Sequence, residues 1–216
     1  MSDAARDLRF RLPGRWISLD PRDEDATRAH IAQIARELIG AADDAVLMRR
    51  RVESGLGDAA ATARAAEARL LLLCREVAPG VPTPVSITVH TPLTITPAIG
   101  TSPENVMRAF EQSLPHTSEP DLETATRLTI ADSIVLRLHS VAPQLIEEGD
   151  HAVTQNRLAA RYWYTVPGSK QVVLVDVVTP LGDIPHAMLR FFDSIVAASY
   201  WGAAADAPSD AVGAHG

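Results

Sequence analysis

Hydrophobic and polar residues alternate most clearly near the end of the chain, where they predict two strands. Tyr162 and Tyr164 alternate with Trp163, so a strand places the tyrosines on one face and Trp163 on the other. A Pro-Gly pair ends this strand, and residues 171–178 resume with apolar side chains on both faces, which is typical of an interior strand. Asp176 is the exception in that run. It is either an aspartate near the strand end or paired with an arginine, or a buried functional carboxylate.

Apolar spacing of three and four residues predicts helices on either side of the central strands. A helix that reaches Trp201 follows the second strand, and Asp183 is positioned to cap it. Ser102 followed by Pro103 predicts another helix start, because serine caps well and proline lacks the N–H that the first helical position leaves unused. The sequence therefore indicates helices both within and after the strand region.

Two or three further helices are predicted ahead of the main strands. Asp23 can cap the first of them, and Gly40 is a plausible stop. A second helical stretch begins at about Asp43, and we expect Gly55 and Gly57 to interrupt it.

The other strand signals divide into single strands and a hairpin. Residues 8–19 predict a short strand pair or a bent edge strand, and residues 147–151 predict a polar loop. A hairpin is predicted with its turn at 131–133. Its Arg137 and His139 point away from the apolar side chains and give it one wetter face. Single strands are predicted at 70–77 and 85–89.

Together these elements predict an α+β fold, with an antiparallel sheet of about six or seven strands packed with helices and extra helices near the N-terminus. The length favours one domain, which we place at 8–201. Residues 1–7 are expected to be disordered, and so is the tail of 202–216, which is rich in Ala, Gly, Ser and Asp and has no periodicity.

Composition narrows the cellular setting. The formal charge is −7 with no offsetting basic run, which disfavours nucleic acid as a partner. No apolar run is long enough to span a bilayer and no export signal is evident, so we expect a cytoplasmic protein without membrane insertion. The single cysteine, Cys74, lies in an apolar run and is expected to pack in the core.

Motifs that carry catalysis are missing from the sequence. There is no nucleophile elbow, phosphate-binding loop, dinucleotide fingerprint, zinc-binding HExxH or cysteine pair. The seven histidines are scattered, and His90 is most simply a solvated or satisfied side chain. We therefore expect no catalytic residue, no cofactor and no metal.

The order of elements and several apolar motifs resemble a known fold family. The stretches Tyr162-Trp-Tyr-Thr-Val-Pro-Gly-Ser169, Val173-Leu-Val-Asp-Val-Val-Thr-Pro180 and Met188-Leu-Arg-Phe-Phe-Asp-Ser-Ile195, followed by Trp201, resemble PsbP-like α/β/α sandwiches. In particular they look like a group of actinobacterial proteins often associated with type VII secretion. The early helices of 23–68 depart from a compact PsbP-like domain. The resemblance implies a non-catalytic adaptor or chaperone that binds another protein, by analogy of fold alone.

Two functional hypotheses follow. In the first, the chain is a protein-binding adaptor in which Tyr162, Trp163 and Tyr164 serve as aromatic anchors of the kind that dominate interfaces, although these side chains can equally be core. In the second, it is a small-molecule-binding protein or an enzyme, with a pocket between sheet and helices lined by Trp163, Arg137 and His139. Homodimerisation through a sheet edge or face is compatible with both.

Overall fold

The chain folds around one large antiparallel sheet. The computed structural model describes residues 6–40, 45–96, 100–114, 122–148 and 151–203. The sheet has the strand order β2-β3-β4-β9-β8-β7-β6, with β5 paired to part of β9, and a separate ribbon joins β1 to β10. The strands are β1 (Arg6–Arg9), β2 (Arg15–Leu19), β3 (Ala68–Glu76), β4 (Ser86–His90), β5 (Leu93–Thr94), β6 (Thr126–Ile130), β7 (Ser133–Glu148), β8 (His151–Thr165), β9 (Gln171–Thr179) and β10 (Tyr200–Ala203). The helices are α1 (Glu24–Ile39), α2 (Val46–Ala65), α3 (Pro103–Ser113) and α4 (Pro185–Ala197), with a 3₁₀ turn at Leu122–Thr124.

Helices cover both faces of the sheet, so the predicted α+β class is confirmed. One face, which we call the α4 face, packs against the apolar stripe of α4 and holds the largest cluster of buried residues. On the opposite face α3 packs over β7, β8 and β9, while α1 and α2 pack over the β2–β3 end. Each face of the sheet therefore buries its own set of side chains, which alternation along the strands supplies.

Local capping signals place α1 and α3 as predicted. The Asp23 carboxylate accepts a hydrogen bond from Ala26 N at 3.0 Å, and Gly40 ends α1 with φ of 85°, a left-handed conformation that glycine adopts readily. The Ser102 hydroxyl caps α3, with Pro103 at the first helical position. The predicted interruption of α2 at its two glycines is wrong. The helix runs unbroken through both, because packing against α1 outweighs a cost of about 1 kcal/mol for each glycine.

The two ends of the domain differ from the sequence-based expectation. Residues 8–19 form two strands that belong to different sheets, because Gly14 turns the chain between them with φ of 76°. The strands β1 and β10 pair from Arg6↔Ala203 to Arg9↔Tyr200, so the expected disorder is wrong at residues 6–7 and 202–203. The rest of both segments lies outside the described residues.

The start and the end of α4 also differ from the prediction. The helix ends at Ala197, and Trp201 lies in β10, where its indole N–H donates to Ser133 Oγ at 2.8 Å. Asp183 does not cap the helix. Ile184 occupies the cap position, and the Asp183 carboxylate instead accepts from Asn156 Nδ2 at 2.6 Å. Contacts distant in sequence thus decide both ends.

Candidate functional site

The three aromatic residues of β8 are core residues, in agreement with the simpler of their two interpretations. Tyr162 is 0% exposed, Tyr164 is 1% exposed and Trp163 is 6% exposed. As predicted, the tyrosines share the α4 face, and Trp163 packs on the other face against Phe110, with ring centroids 4.7 Å apart. None of the three is on the surface for a partner to contact.

Tyr162 and Arg137 converge on one carboxylate of α4. The Tyr162 hydroxyl donates to Asp193 Oδ1 at 2.8 Å, and the Arg137 guanidinium donates to Asp193 Oδ2 and, at 3.2 Å, to Thr126 Oγ1. The Arg137 side chain is only 13% exposed, so the expectation of a wet face at this position is wrong. The cluster fastens α4 to β7 and β8.

The chemistry of this cluster is structural. Burial raises the pKa of the Tyr162 hydroxyl, and the Asp193 carboxylate raises it further, so the phenol stays protonated and donates. Burial likewise raises the pKa of Tyr164, whose hydroxyl lies 3.2 Å from Ser199 Oγ. A phenol held in its neutral form serves as a hydrogen-bond donor and not as a base near neutral pH.

His139 and Trp163 do not meet in one pocket. The backbone of His139 is held by Thr124, whose hydroxyl accepts from the His139 N–H at 2.8 Å and donates to its carbonyl at 3.0 Å. Trp163 pairs with Leu136 and lies on the other face of the sheet from Arg137 and His139. The predicted pocket lined by these three residues is therefore wrong, because the sheet separates them.

A second polar cluster lies on the face opposite α4. His90 Nδ1 is 2.8 Å from the Ala66 carbonyl oxygen and His90 Nε2 is 2.9 Å from Asp176 Oδ2, while Arg161 Nε is 3.7 Å from the other Asp176 oxygen. This arrangement confirms the predictions of a satisfied histidine and of an aspartate paired with an arginine. Because both oxygens that face the ring are acceptors, the geometry suits an imidazolium that donates from both nitrogens.

The charge state of His90 follows from opposing contributions. Burial alone lowers the pKa of His90, but hydrogen bonds to Asp176 and Ala66 and attraction to the Asp176 carboxylate outweigh it, and the pKa is raised. Since neither ring nitrogen is open to a substrate, the cluster joins the end of α2 to the sheet centre and offers no ready acid or base.

We expect the stabilisation from His90 to depend on pH. Because the folded-state pKa is raised, the contribution is fully present below the ordinary value of 6.5 and is lost as pH rises through the folded-state pKa. The difference in free energy of unfolding between the wild type and His90→Gln should therefore shrink as the pH is raised above 6.5 and through the folded-state pKa. Urea denaturation across that range measures it, and a difference that stays constant would contradict the imidazolium assignment.

The surface of the described residues includes the following two recesses. One of about 310 Å³ opens at the β6–β7 turn, and one of about 210 Å³ lies between α1 and α2. None of the five candidate residues of β7 and β8 lines either recess. Neither recess therefore provides the pocket that the small-molecule hypothesis expects at those residues.

The most exposed part of the sheet is a long hairpin. The pairing of β7 with β8 runs to Glu148↔His151, whereas β6 stops opposite Arg137 and β9 stops opposite Leu158. We call residues 141–148 and 151–157 the β-arm, and its β7 half extends about 23 Å at about 3.3 Å per residue. The polar loop predicted at 147–151 is wrong at both ends, because the strands continue to Glu148 and resume at His151.

Apolar side chains lie exposed on both faces of the β-arm. Val141 (43% exposed), Pro143 and Leu145 (59% exposed) point to the α4 side, and we call them the β7 row. On the other face Ile146 (41% exposed) lies directly opposite Val153 (61% exposed). A two-stranded hairpin is marginally stable by itself in water, and exposed apolar rows of this kind mark interaction sites.

The exposed apolar side chains of the β-arm make it the candidate site. A scan against protein-family models and a search of curated proteins both find no match to the chain. Within the described ranges, no group of three or more His, Cys, Asp or Glu side chains could hold a metal ion, and no helix is long and apolar enough to cross a bilayer. The β-arm was missed at the sequence level because its apolar residues follow no single alternation.

Proposed function

We propose that the chain is a non-catalytic protein-binding module and that the β-arm is its docking surface. The observation that carries the proposal is the length of the arm, which extends beyond both neighbouring strands and holds apolar side chains in solvent. Burial of such side chains against a partner contributes about 25 cal/mol for each Å² removed from water. The arm thus concentrates more exposed apolar surface in one place than the rest of the described surface does, and burial of that surface drives association.

The β7 row is the part of the arm that we assign to the partner. The β7 row continues toward the start of α4. Asn156 lies opposite Pro143 on the same face, and its side-chain amide donates to the Asp183 carboxylate at 2.6 Å. The next residue, Ile184, is 52% exposed. This hydrogen bond fixes the base of the arm and so presents the row and Ile184 in a defined arrangement, which lowers the ordering cost of binding.

The polar clusters favour binding over catalysis. Arg137, Asp193 and Tyr162 satisfy one another beneath α4, and His90 has acceptors at both ring nitrogens. A catalytic acid or base must reach the proton that it transfers. Side chains engaged in this way serve the fold.

Within this proposal the chain acts as an adaptor or chaperone. The partner suggested by the resemblance to PsbP-like actinobacterial proteins is a component or a secreted client of type VII secretion. That choice of partner depends on the resemblance alone, whereas the surface assignment depends on the exposed row.

We expect Leu145→Lys to abolish capture of the partner. The substitution places a charge in the apolar row without touching the core, because Leu145 is 59% exposed. Affinity capture from the lysate of the source organism, read by mass spectrometry, should give a protein that is recovered with the wild type and lost with Leu145→Lys. The binding constant is then measured by calorimetry with that protein purified.

Leu47→Lys is the matched control, since Leu47 is 79% exposed on α2 and distant from the arm. It should retain full capture. Equal recovery with the wild type and with Leu145→Lys would refute the assignment of the β7 row, provided that circular dichroism shows both proteins folded.

A further inference from the structure

The backbone of the β-arm presents a different surface from its side-chain rows, namely the open edge of β8. Gly182 N donates to the Asn156 carbonyl at 2.9 Å, so the backbone groups of Asn156 face away from β7. Because these directions alternate along a strand, the N–H and C=O of Thr154 and Ala152 also face outward. Among the described residues no strand pairs with them, since β9 stops opposite Leu158.

The edge of β7 is less suited to pairing. The backbone of His139 faces away from β8, where it meets Thr124, so alternation turns the backbone of Val141, Pro143 and Leu145 outward as well. Proline has no N–H and interrupts a ladder at this edge. The arm therefore has one edge, that of β8, which can accept a further strand.

The open part of β8 is short, and its central residues carry no charge. Chain segments near Gly182 approach so closely that a β-carbon at Gly182 would lie 2.6 Å from the Asn156 carbonyl oxygen, and this closes the edge at Asn156. Residues 151–155 remain. From Ala152 to Asn156 the sequence contains no ionisable side chain, although the whole chain has a formal charge of −7.

We propose that the strand added to this edge is β8 of a second copy of the same chain, in an antiparallel dimer with Val153 on the two-fold axis. The outward N–H and C=O of Ala152 then form hydrogen bonds with those of Thr154 in the second copy. By symmetry, Thr154 of the first copy bonds in the same way to Ala152 of the second. Self-pairing suits this edge because a neutral segment meets itself without the repulsion that the rest of the acidic chain would contribute.

Side chains fit the same register. Val153 lies on the axis at a pair without backbone hydrogen bonds, where side chains are closest. Ile146 is the cross-strand neighbour of Val153 within each copy. One row across the four strands therefore reads Ile146, Val153 and then the same two residues of the second copy, and it buries side chains that are exposed in the single chain.

The arrangement is closed and it leaves the β7 row free. With Pro143 on the other edge, the described part of each arm has a single competent edge, so two arms complete this pairing. The four-stranded ribbon that results is more stable than the isolated two-stranded arm. The β7 row points to the other face, so the dimer would present two copies of it, and this inference does not depend on the function proposed for that row.

A cross-linking experiment tests the axis directly. In a Cys74→Ala background, Val153→Cys should form an intermolecular disulfide on mild oxidation, because facing residues of such a pair lie about 4.5 Å apart at Cα. Leu145→Cys, equally exposed but on the other face and strand, should not do so. Cross-linking that is equal for the two variants would overturn the proposed register.

Sedimentation velocity tests the dimer itself. We expect the wild type to be dimeric at about 100 µM, and Val153→Lys to weaken the dimer by about 100-fold, since it opposes two like charges. Leu145→Lys should remain dimeric while it loses the captured partner. A wild type that is monomeric at this concentration, or a dimer that Val153→Lys leaves intact, would overturn the dimer. Neither result would affect the test of the β7 row.

Discussion

Replacing Asp193 with alanine is expected to lower the free energy of unfolding by about 3–5 kcal/mol, which is the cost of leaving a buried charge without its partner. Arg137 is 13% exposed and its guanidinium donates to Asp193. The Tyr162 hydroxyl, 2.8 Å from the same carboxylate, would also lose its acceptor. Urea denaturation followed by circular dichroism measures the loss.

A second substitution distinguishes a stranded charge from a general packing defect. In the Asp193→Ala background, Arg137→Met should recover part of the lost stability, because it removes the buried unpaired guanidinium. If Arg137→Met instead adds a further loss of similar size, the ion pair is not the source of the effect.

The matched control is Asp25→Ala at an exposed ion pair. Asp25 has a side chain that is 91% exposed and pairs with Arg28, so its removal should change stability by less than about 1 kcal/mol. A comparable loss at Asp25 and Asp193 would show that burial is not what distinguishes them.

The same cluster illustrates what sequence reasoning could and could not obtain. Alternation along β8 was enough to place Tyr162 and Trp163 on opposite faces, and the spacing within α4 was enough to place its apolar stripe. The meeting of Arg137 with Asp193 joins residues 56 positions apart. Such a contact depends on how the helix is seated on the sheet, and no local pattern encodes it.

Helix ends show the same division between local and distant causes. Ser102 and Asp23 cap through side-chain hydrogen bonds to residues three positions ahead, so their roles are readable from the sequence. Asp183 has the right residue type for a cap. Asn156, 27 positions away, engages its carboxylate instead, and a strong local signal is overridden by a tertiary contact.

The β-arm was beyond sequence reasoning for a physical reason. Alternation reports a strand with one buried and one exposed face, whereas the outer arm is exposed on both faces and places Leu145 and Ile146 side by side in sequence on opposite faces. Without a buried face there is no period to detect. The candidate site became visible only when the register showed how far β7 and β8 extend beyond their neighbours.

Replacing Trp163 with alanine is expected to cost about 3–5 kcal/mol, as for other large aromatic truncations in a core. Trp163 is 6% exposed and contacts Phe110, with ring centroids 4.7 Å apart. These two rings belong to the buried cluster through which α3 packs on the sheet. We therefore expect the amides of α3 to exchange faster with solvent in Trp163→Ala, measured by hydrogen exchange, and global stability to fall in urea denaturation.

Trp163→Phe separates packing from hydrogen bonding at this position. The indole N–H is buried and has no acceptor among the described residues, so phenylalanine removes no hydrogen bond and keeps most of the ring contact. The loss should be no more than about 2 kcal/mol. If phenylalanine costs as much as alanine, the indole N–H contributes a bond that stabilises α3, and Trp163 acts by polarity as well as by volume. If alanine leaves the exchange of α3 unchanged, the helix is held by its contacts with Leu136 and Leu138 instead.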